Sequence, residues 1–358
     1  MGCMDDGLVD RGSLEAHFRS VFKGARLVEV KALGKGIHGA GFLVTFDTEK
    51  GRKTCVLKGI TPEGLGHDYP ADRAGMLIHA FDSFGLFPSH VRAYDVLALQ
   101  EDGSLKPIGG ARDYYLLMET AEGTSYFADL EAMAARARLE AEDREKIAVM
   151  AGYLAGIHAE KKDSRTLYLR KLRDIVGHGE CLMGVFDAYP EGVLDYREMA
   201  EIEKRCVDWR AALKGRHHRL SKIHGDFHPG NIWFRPGAGD LAGRLCLLDA
   251  SRGPWGDPAD DVTALTINYV FYSITRLGSI TGAYLEALGL FFRGYLEKTG
   301  DGELLEVLGP YYAFRGAVVA NPVFYPGVSR DRREMIFRFV RGVLETERFE
   351  PERAAEYI

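Results

Sequence analysis

The segment from Lys222 to Asp249, KIHGDFHPGNIWFRPGAGDLAGRLCLLD, constrains the fold more than any other part of this sequence. Gly225, Pro229 and Gly230 oppose a continuous helix through HGDFHPGN. The runs IWF and RLCLL that follow are short and apolar, and a turn rich in Gly, Pro and Asp separates them. The segment therefore predicts a polar loop that leads into a β-hairpin, with Asp249 directly after the returning strand.

The predicted loop and hairpin carry side chains that phosphoryl transfer needs. Asp226 has a carboxylate that could accept the proton of an incoming hydroxyl, whereas Asn231 and Asp249 offer the hard oxygen ligands that Mg2+ prefers. A single Asp in a loop is more often a turn or helix-capping residue. The combination of these three side chains in one short segment favours chemistry over that ordinary role.

The string HGDFHPGN followed by LLD resembles the catalytic loop and metal-binding Asp of the aminoglycoside phosphotransferase and choline kinase superfamily, a branch of the protein-kinase-like fold. The resemblance implies an α+β protein with two lobes. A small antiparallel β-sheet would form the amino-terminal lobe, and the carboxyl-terminal lobe would be mainly helical. Asp226 would be the catalytic base, and Asn231 and Asp249 would be the metal ligands.

His224 and His228 allow a second interpretation, because their i, i+4 spacing also occurs in HExxH zinc sites. That motif requires a helix and a Glu as general base. Here Gly225 and Pro229 oppose a helix, and no Glu stands between the two histidines. The sequence therefore favours a structural role for both histidines, and the resemblance implies that their imidazoles hydrogen-bond the backbone around Asp226.

Upstream, Gly34, Gly36 and Gly39 form a GxGxxG pattern between VEVKAL and GFLVTF. Such glycines alone more often mark a dinucleotide-binding turn between a strand and a helix. The β-branched and aromatic residues that follow predict a hairpin instead, whose backbone amides could bind phosphates. Lys58 lies near the end of the next predicted strand, KTCVLKGI, where kinases place a Lys that contacts the nucleotide phosphates. Taken alone, Lys58 would be an ordinary exposed strand residue.

The acidic partner of Lys58 is not evident, because the helix predicted after it, YPADRAGMLIHAFDSFG, contains no Glu. Asp72 is the first candidate, and Asp68 or an unpaired, exposed Lys58 are open alternatives. Further on, DYYLLMETAEGTSYF has the pattern of a buried strand that ends in a polar connection, as at the hinge between two kinase lobes. By the resemblance, backbone groups of Glu119 and Ala121 would hydrogen-bond adenine.

These assignments predict an ATP-binding lobe over residues 1–118, a hinge over 119–123 and a helical lobe over 124–358. The helical lobe would contain the catalytic loop and the helices that bind the acceptor. Apolar residues at i, i+3, i+4 spacing predict an amphipathic helix over EAEDREKIAVMAGYLAGIHAEKK. The string GDPADD after the hairpin is similar to the family's GDPxxDxA segment, which places Asp261 on a further helix that faces and braces the catalytic loop.

Composition and charge exclude several classes of function. The 358 residues are 46% hydrophobic and 27% charged, as in ordinary globular proteins. A net charge of -6 argues against nucleic acid as the main partner and is compatible with a cationic small molecule such as an aminoglycoside or choline. No apolar run predicts a membrane span, MGCMDDG lacks the features of a secretory signal, and the five cysteines include no CxxC pair. We therefore expect a cytoplasmic protein with reduced thiols.

The leading hypothesis is an ATP- and Mg2+-dependent kinase that transfers the γ-phosphoryl group to a hydroxyl of a small molecule. A protein acceptor is less expected, because the HRD, DFG and APE elements are missing. The missing Glu partner for Lys58 supports a different hypothesis, a nucleotide-binding module without catalysis, although such modules typically lack the base or a metal ligand. Antibiotic, choline-like, sugar and amino-alcohol kinases share these motifs, so all four acceptor classes stay open.

Overall fold

The computed structural model describes residues 11–36, 39–60, 67–84, 92–110, 121–177, 179, 181–237, 239–250 and 252–358. Tertiary contacts divide the chain into two compact units, Met1–Met118 and Glu119–Ile358. Within the described ranges, no helix has an apolar stretch long enough to span a bilayer.

The first unit contains a three-stranded antiparallel sheet with strand order β1–β2–β3 and a separate antiparallel pair, β4–β5. Its elements are α1 (Arg11–Val21), β1 (Arg26–Gly36), β2 (Gly39–Thr48), β3 (Gly51–Ile60), α2 (Pro70–Phe84), β4 (Leu97–Leu99) and β5 (Leu105–Pro107). Alternate residues of β2, Phe42, Val44 and Phe46, are buried, as expected when one face of a strand faces the core. Leu14 and Phe18, one turn apart on α1, complete this core together with Val44 and Phe46.

The second unit is mainly helical. Its helices are α3 (Tyr126–Arg136), α4 (Ala141–His158), α5 (Arg165–Val176), α6 (Leu182–Asp187), α7 (Tyr196–Leu213), α8 (Leu241–Arg244), α9 (Ala259–Tyr272), α10 (Gly282–Thr299), α11 (Gly309–Ala320) and α12 (Arg330–Leu344). Its strands are β6 (Thr124–Ser125), β7 (Ser221–Lys222), β8 (Ile232–Phe234), β9 (Leu245–Leu247) and β10 (Trp255–Gly256). Antiparallel pairing joins β6 to β8 and β8 to β9, and a second pair joins β7 to β10.

Helix α9 lies in the core of the second unit, since all of its residues are buried. It packs against α10 and α11, and α10 packs in turn against α4. A helix that is buried on all sides is expected to be apolar over most of its length. The first turn of α9 is the exception, because it contains Asp260 and Asp261 at the end where the helix dipole favours negative charge. Helix α9 thereby brings two carboxylates into the core.

The predicted α+β fold class is confirmed: a small antiparallel sheet lies in the amino-terminal region, and the carboxyl-terminal region is mainly helical. The structure contains the hairpin expected from IWF and RLCLL, with Ile232 of β8 opposite Leu247 of β9. The short helix α8 within the hairpin connection was not predicted from the sequence. The amphipathic helix expected before the catalytic loop corresponds to α4.

Candidate active site

The loop between β7 and β8 contains Asp226, and backbone hydrogen bonds fold it tightly. The His228 amide donates to the Asp226 carbonyl at 2.8 Å, and the Asn231 amide donates to the His228 carbonyl at 2.9 Å. Gly225 has a φ of +86°, and a Cβ at this position would lie 3.1 Å from Cβ of Arg252. Because both the conformation and the space suit glycine, the loop can approach the segment after β9 closely.

Asp261, in the first turn of α9, holds the start of this loop. Its Oδ2 accepts a hydrogen bond from the His224 amide and its Oδ1 accepts one from the Gly225 amide, each at 2.7 Å. The carboxylate is fully buried, and Oδ2 also lies 3.2 Å from Nε2 of His158. Burial of a carboxylate is tolerated when hydrogen bonds replace its hydration. Asp261 therefore lies directly behind the backbone that precedes Asp226.

The two loop histidines bond to backbone amides. Nδ1 of His224 accepts from the Asp226 amide at 3.3 Å, and Nδ1 of His228 accepts from the Gly230 amide at 3.1 Å. Burial lowers the pKa of His228 and so favours the neutral ring, in which Nδ1 is an acceptor. The described part of the chain contains no group of three His, Cys, Asp or Glu side chains arranged to hold a metal. These contacts are those of residues that shape the loop.

The Asp226 carboxylate is partly buried and lies close to two arginines. Oδ1 accepts a hydrogen bond from Nη1 of Arg315 at 2.6 Å, and Nε of Arg252 lies 3.7 Å from the same oxygen. Nε2 of His228 lies 3.8 Å from Oδ2. Burial raises the pKa of Asp226, but the positive charges of Arg315 and Arg252 outweigh this effect and hold the pKa below its usual value. The carboxylate is therefore ionised at neutral pH.

Arg315 extends this contact into the helical core. Its Nη2 donates to Oδ1 of Asp260 at 2.8 Å and to the Gly225 carbonyl at 2.9 Å. Nζ of Lys171, on α5, lies 3.0 Å from Oδ2 of Asp260. Burial raises the pKa of Asp260, but Lys171 and Arg315 lower it further than burial raises it. Lys171, Asp260, Arg315 and Asp226 thus form a row of alternating charges, which we call the charge chain.

Sequence reasoning did not identify Lys171, Arg252 or Arg315 as part of the site. Arg315 has a recognisable signal, because it is the single charged residue in the apolar helix GPYYAFRGAVVA and a buried charge requires a partner. Lys171 has no such signal, because it lies among other basic residues in LYLRKLRD.

Asn231 directly precedes β8 and Asp249 follows β9, so both residues lie at the open end of the β8–β9 hairpin. The Leu248 amide donates to the Asn231 carbonyl at 3.0 Å, so Asp249 follows directly after this contact. Nδ2 of Asn231 donates to the Asp226 carbonyl at 3.0 Å, which leaves the side-chain oxygen to bind a cation. Asp249 is exposed and has a φ of +53°, a conformation that Asp adopts more readily than most residues. Two oxygen donors at adjacent positions fit Mg2+, which proteins hold with one or two carboxylates and with substrate phosphates.

The predicted phosphate-binding residues Gly34, Gly36, Gly39 and Lys58 all belong to the first unit. Gly36 and Gly39 lie opposite each other where β1 ends and β2 begins, and Gly34 lies two residues before the end of β1. The turn residues 37–38 lie outside the described ranges. Lys58 is an exposed residue of β3. The glycines therefore connect two strands, as the sequence pattern indicated.

The remaining predicted residues concern the Lys58 partner and the adenine contact. Oδ2 of Asp72 accepts a hydrogen bond from the Tyr69 amide at 2.8 Å, a contact that caps the start of α2. An ion pair between Asp72 and Lys58 stays a prediction. Ala121 lies shortly before β6, and Glu119 is outside the residues that the structure describes. Their role in binding adenine likewise stays a prediction.

The loop and the hairpin present a carboxylate, an amide oxygen and a second carboxylate. These are the groups that a phosphotransferase requires. Residues 29–298 match the family model described as the phosphotransferase enzyme family, and the chain belongs to that family. The resemblance carried by HGDFHPGN and LLD is thereby confirmed. Comparison with curated proteins gave no match.

Several solved structures of kinases are similar to this chain. One is an amicoumacin kinase in complex with AMP-PNP, Ca2+ and Ami, at 11% identity over 99% of each chain and a TM-score of 0.38. Choline kinase LicA from Streptococcus pneumoniae has 14% identity over 92% of this chain and 97% of its own, with a TM-score of 0.35. The GDP complex of aminoglycoside 2'-phosphotransferase-IIIa has 14% identity over 94% and 98%, with a TM-score of 0.33. Because these TM-scores are low, the family assignment rests on the match over residues 29–298.

Proposed function

We propose that the protein is an ATP- and Mg2+-dependent kinase that transfers the γ-phosphoryl group to a hydroxyl of a small molecule. The observation that carries the proposal is the loop and hairpin that bring Asp226, Asn231 and Asp249 together in a member of the phosphotransferase enzyme family. The acceptor oxygen would form a bond to the γ-phosphorus while the bond from that phosphorus to the β–γ bridging oxygen breaks, and ADP leaves with the electron pair. The proton of the acceptor hydroxyl would pass to Asp226.

Asn231 and Asp249 would hold Mg2+ through side-chain oxygens. The contact between Nδ2 of Asn231 and the Asp226 carbonyl supports this role, because it turns the amide oxygen away from the loop backbone. Bound Mg2+ would offset the negative charge of the nucleotide phosphates. The other nucleotide contacts in this proposal come from Gly34, Gly36, Gly39 and Lys58 for the phosphates and from the backbone of Glu119 and Ala121 for adenine.

The charges around Asp226 bear on the acceptor. Arg252 and Arg315 lie next to the carboxylate, and Asp260 behind Arg315 is already paired with two cations. A polycationic acceptor would be repelled by these arginines. We therefore expect neutral or anionic hydroxyl compounds to be better acceptors than polycations, although the mild net negative charge alone suits a cation.

The test is transfer of label from γ-labelled ATP, with Mg2+, to a panel of sugars, hydroxy acids, choline, ethanolamine and aminoglycosides. We expect a labelled product with the unmodified protein and its loss in Asp226→Asn. Asp240→Asn is the matched control, because Asp240 is exposed in the same hairpin and its Oδ1 caps α8 at the Ala242 amide, a role that Asn also fills.

Two results would contradict the proposal. An unchanged transfer rate in Asp226→Asn would remove the role of Asp226. Calorimetric binding of ATP with Mg2+ but no transfer to any acceptor would favour the non-catalytic nucleotide-binding module instead. For the metal, Asp249→Asn should raise the Mg2+ concentration that half-saturates ATP binding, and Asp240→Asn should leave it unchanged.

A further inference from the structure

Arg315 lies in the middle of the apolar helix α11 and is only 5% exposed. Its guanidinium donates to the Asp226 carboxylate, the Gly225 carbonyl and the Asp260 carboxylate at 2.6, 2.9 and 2.8 Å. A buried arginine is costly unless its charge is paired and its N–H groups are bonded. Two of the three contacts here go to the loop that carries the proposed base.

The position of Arg315 does not depend on Asp226 alone. Asp260 accepts from Arg315 at one oxygen and lies 3.0 Å from Nζ of Lys171 at the other. Lys171 also donates to the Arg252 carbonyl at 3.3 Å. The charge chain is therefore attached to α5, α9 and α11, which are packed in the helical core. If Arg315 is removed, Asp260 still has Lys171 as its partner.

The two oxygens of Asp226 have different surroundings. Oδ1 accepts the short hydrogen bond from Arg315 and lies 3.7 Å from Arg252. Oδ2 accepts no hydrogen bond from any side chain or amide in the described ranges, and Nε2 of His228 lies 3.8 Å from it. When one oxygen of a carboxylate is held, the direction of the other is fixed as well. Oδ2 is therefore the oxygen that is left for an acceptor hydroxyl.

We propose that Arg315 is a positioning residue for phosphoryl transfer, which fixes Oδ1 of Asp226 and the Gly225 carbonyl so that Oδ2 receives the acceptor proton. The inference rests on the proposed function above. An arginine suits this role because its planar fork donates in several fixed directions at once, whereas a lysine is a single point charge. Arg315→Lys should therefore restore the charge but only part of the geometry.

The experiment compares Arg315→Met, Arg315→Lys and the matched control Arg333→Met in the full chain. Arg333 on α12 is also buried, but it donates to the backbone carbonyls of Ala320 and Tyr325. The first readout is kcat and the KM for the acceptor, determined separately. The second is urea unfolding of each variant, which separates a loss of stability from a loss of positioning.

We expect kcat of Arg315→Met to fall roughly tenfold to a hundredfold through lost positioning. The KM for the acceptor should change much less than kcat, because the guanidinium holds the base and not the acceptor. Arg315→Lys should recover part of the lost kcat. Arg333→Met should lose stability, but its folded fraction should keep its kcat. The inference is overturned if Arg315→Met keeps its kcat, or if Arg333→Met lowers the kcat of the folded fraction equally.

Failure of this inference differs from failure of the proposed function. If Asp226→Asn transfers phosphate at the normal rate, or if the unmodified protein transfers none, the proposed function fails and the role of Arg315 fails with it. If Asp226→Asn is inactive while Arg315→Met keeps the rate, the proposed function stands and the inference about Arg315 alone is wrong.

Discussion

Two buried arginines of the helical unit pair with carboxylates, but in different ways. Arg219 donates to both oxygens of Asp257, at 2.9 and 3.0 Å, and to both oxygens of Asp301, at 2.7 and 3.0 Å. Arg315 donates only once to Asp226, at 2.6 Å, and once to Asp260, at 2.8 Å. Arg219 therefore binds both oxygens of Asp257 and of Asp301, and it also contacts Oε2 of Glu303 at 3.4 Å. Arg315 leaves Oδ2 of Asp226 without a hydrogen bond from the ion pair.

Asp257 accepts two further hydrogen bonds. Its Oδ2 accepts from the Tyr168 hydroxyl at 3.1 Å and its Oδ1 from the Ala259 amide at 3.0 Å. Together with the bonds from Arg219, these bonds join the segment before β7 to α5 and to the start of α9, which is a structural role. The Asp226 carboxylate accepts a single hydrogen bond from its arginine, Arg315. The two pairs therefore differ in the number of hydrogen bonds to the carboxylate, and the Asp226 pair leaves Oδ2 for the proposed role as a base.

Replacement of Asp226, whose Oδ2 accepts no hydrogen bond from Arg315, should have the largest effect. Asp226→Asn is expected to lower kcat by roughly 10²–10⁴-fold, because an amide cannot accept the acceptor proton. Asp257→Asn should lower stability while the folded fraction keeps most of its kcat. Labelled-ATP assays and urea unfolding of both variants measure the contrast. An equal loss of kcat in folded Asp257→Asn would show that the two carboxylates do not differ in the proposed way.

Replacement of Arg219 should have the next largest effect, which is a loss of stability. Arg219→Met is expected to cost about 3–5 kcal/mol, because it leaves Asp257 and Asp301 without their buried partner. Arg315→Met should cost less, since Asp260 retains Lys171. Urea unfolding of both variants at neutral pH gives the comparison. If Arg315→Met is the less stable of the two, the support that Lys171 gives to the charge chain has been overestimated.

Replacement of Asp261 should have a smaller effect, because Asp261 holds the loop through backbone amides. Asp261→Asn should cost about 1–3 kcal/mol, since an amide offers one oxygen to the two N–H groups of His224 and Gly225. It should also lower kcat, as the backbone before Asp226 loses a contact. Asp240→Asn on the hairpin is the control for the loss of one negative charge. Equal stability of the two variants would show that Asp261 does not brace the loop.

The features that could be predicted from the sequence are local ones. Gly225 and Pro229 exclude a helix within a few residues of Asp226, and the alternating apolar strand after Gly39 reveals that the glycines join two strands. The charge chain could not be predicted in this way. It brings together α5, α9, α11 and the loop, and Lys171 and Arg315 are separated in sequence by most of the second unit. No periodicity links residues that only tertiary packing makes neighbours.

The smallest expected effect concerns stability in acid. Burial raises the pKa values of Asp226 and Asp260, but their cationic partners, Arg315 among them, hold both pKa values below the usual range in the folded chain. Such a carboxylate stabilises the fold above its unfolded pKa of about 3.9, and this contribution disappears as the pH falls through the lower, folded pKa. The free energy of unfolding should therefore decline below about pH 4. The decline should be shallower in Arg315→Met than in the control Arg333→Met, because the former has already lost part of the pairing. Urea unfolding of both variants across this range is the measurement, and identical slopes would show that Arg315 does not keep these two carboxylates ionised.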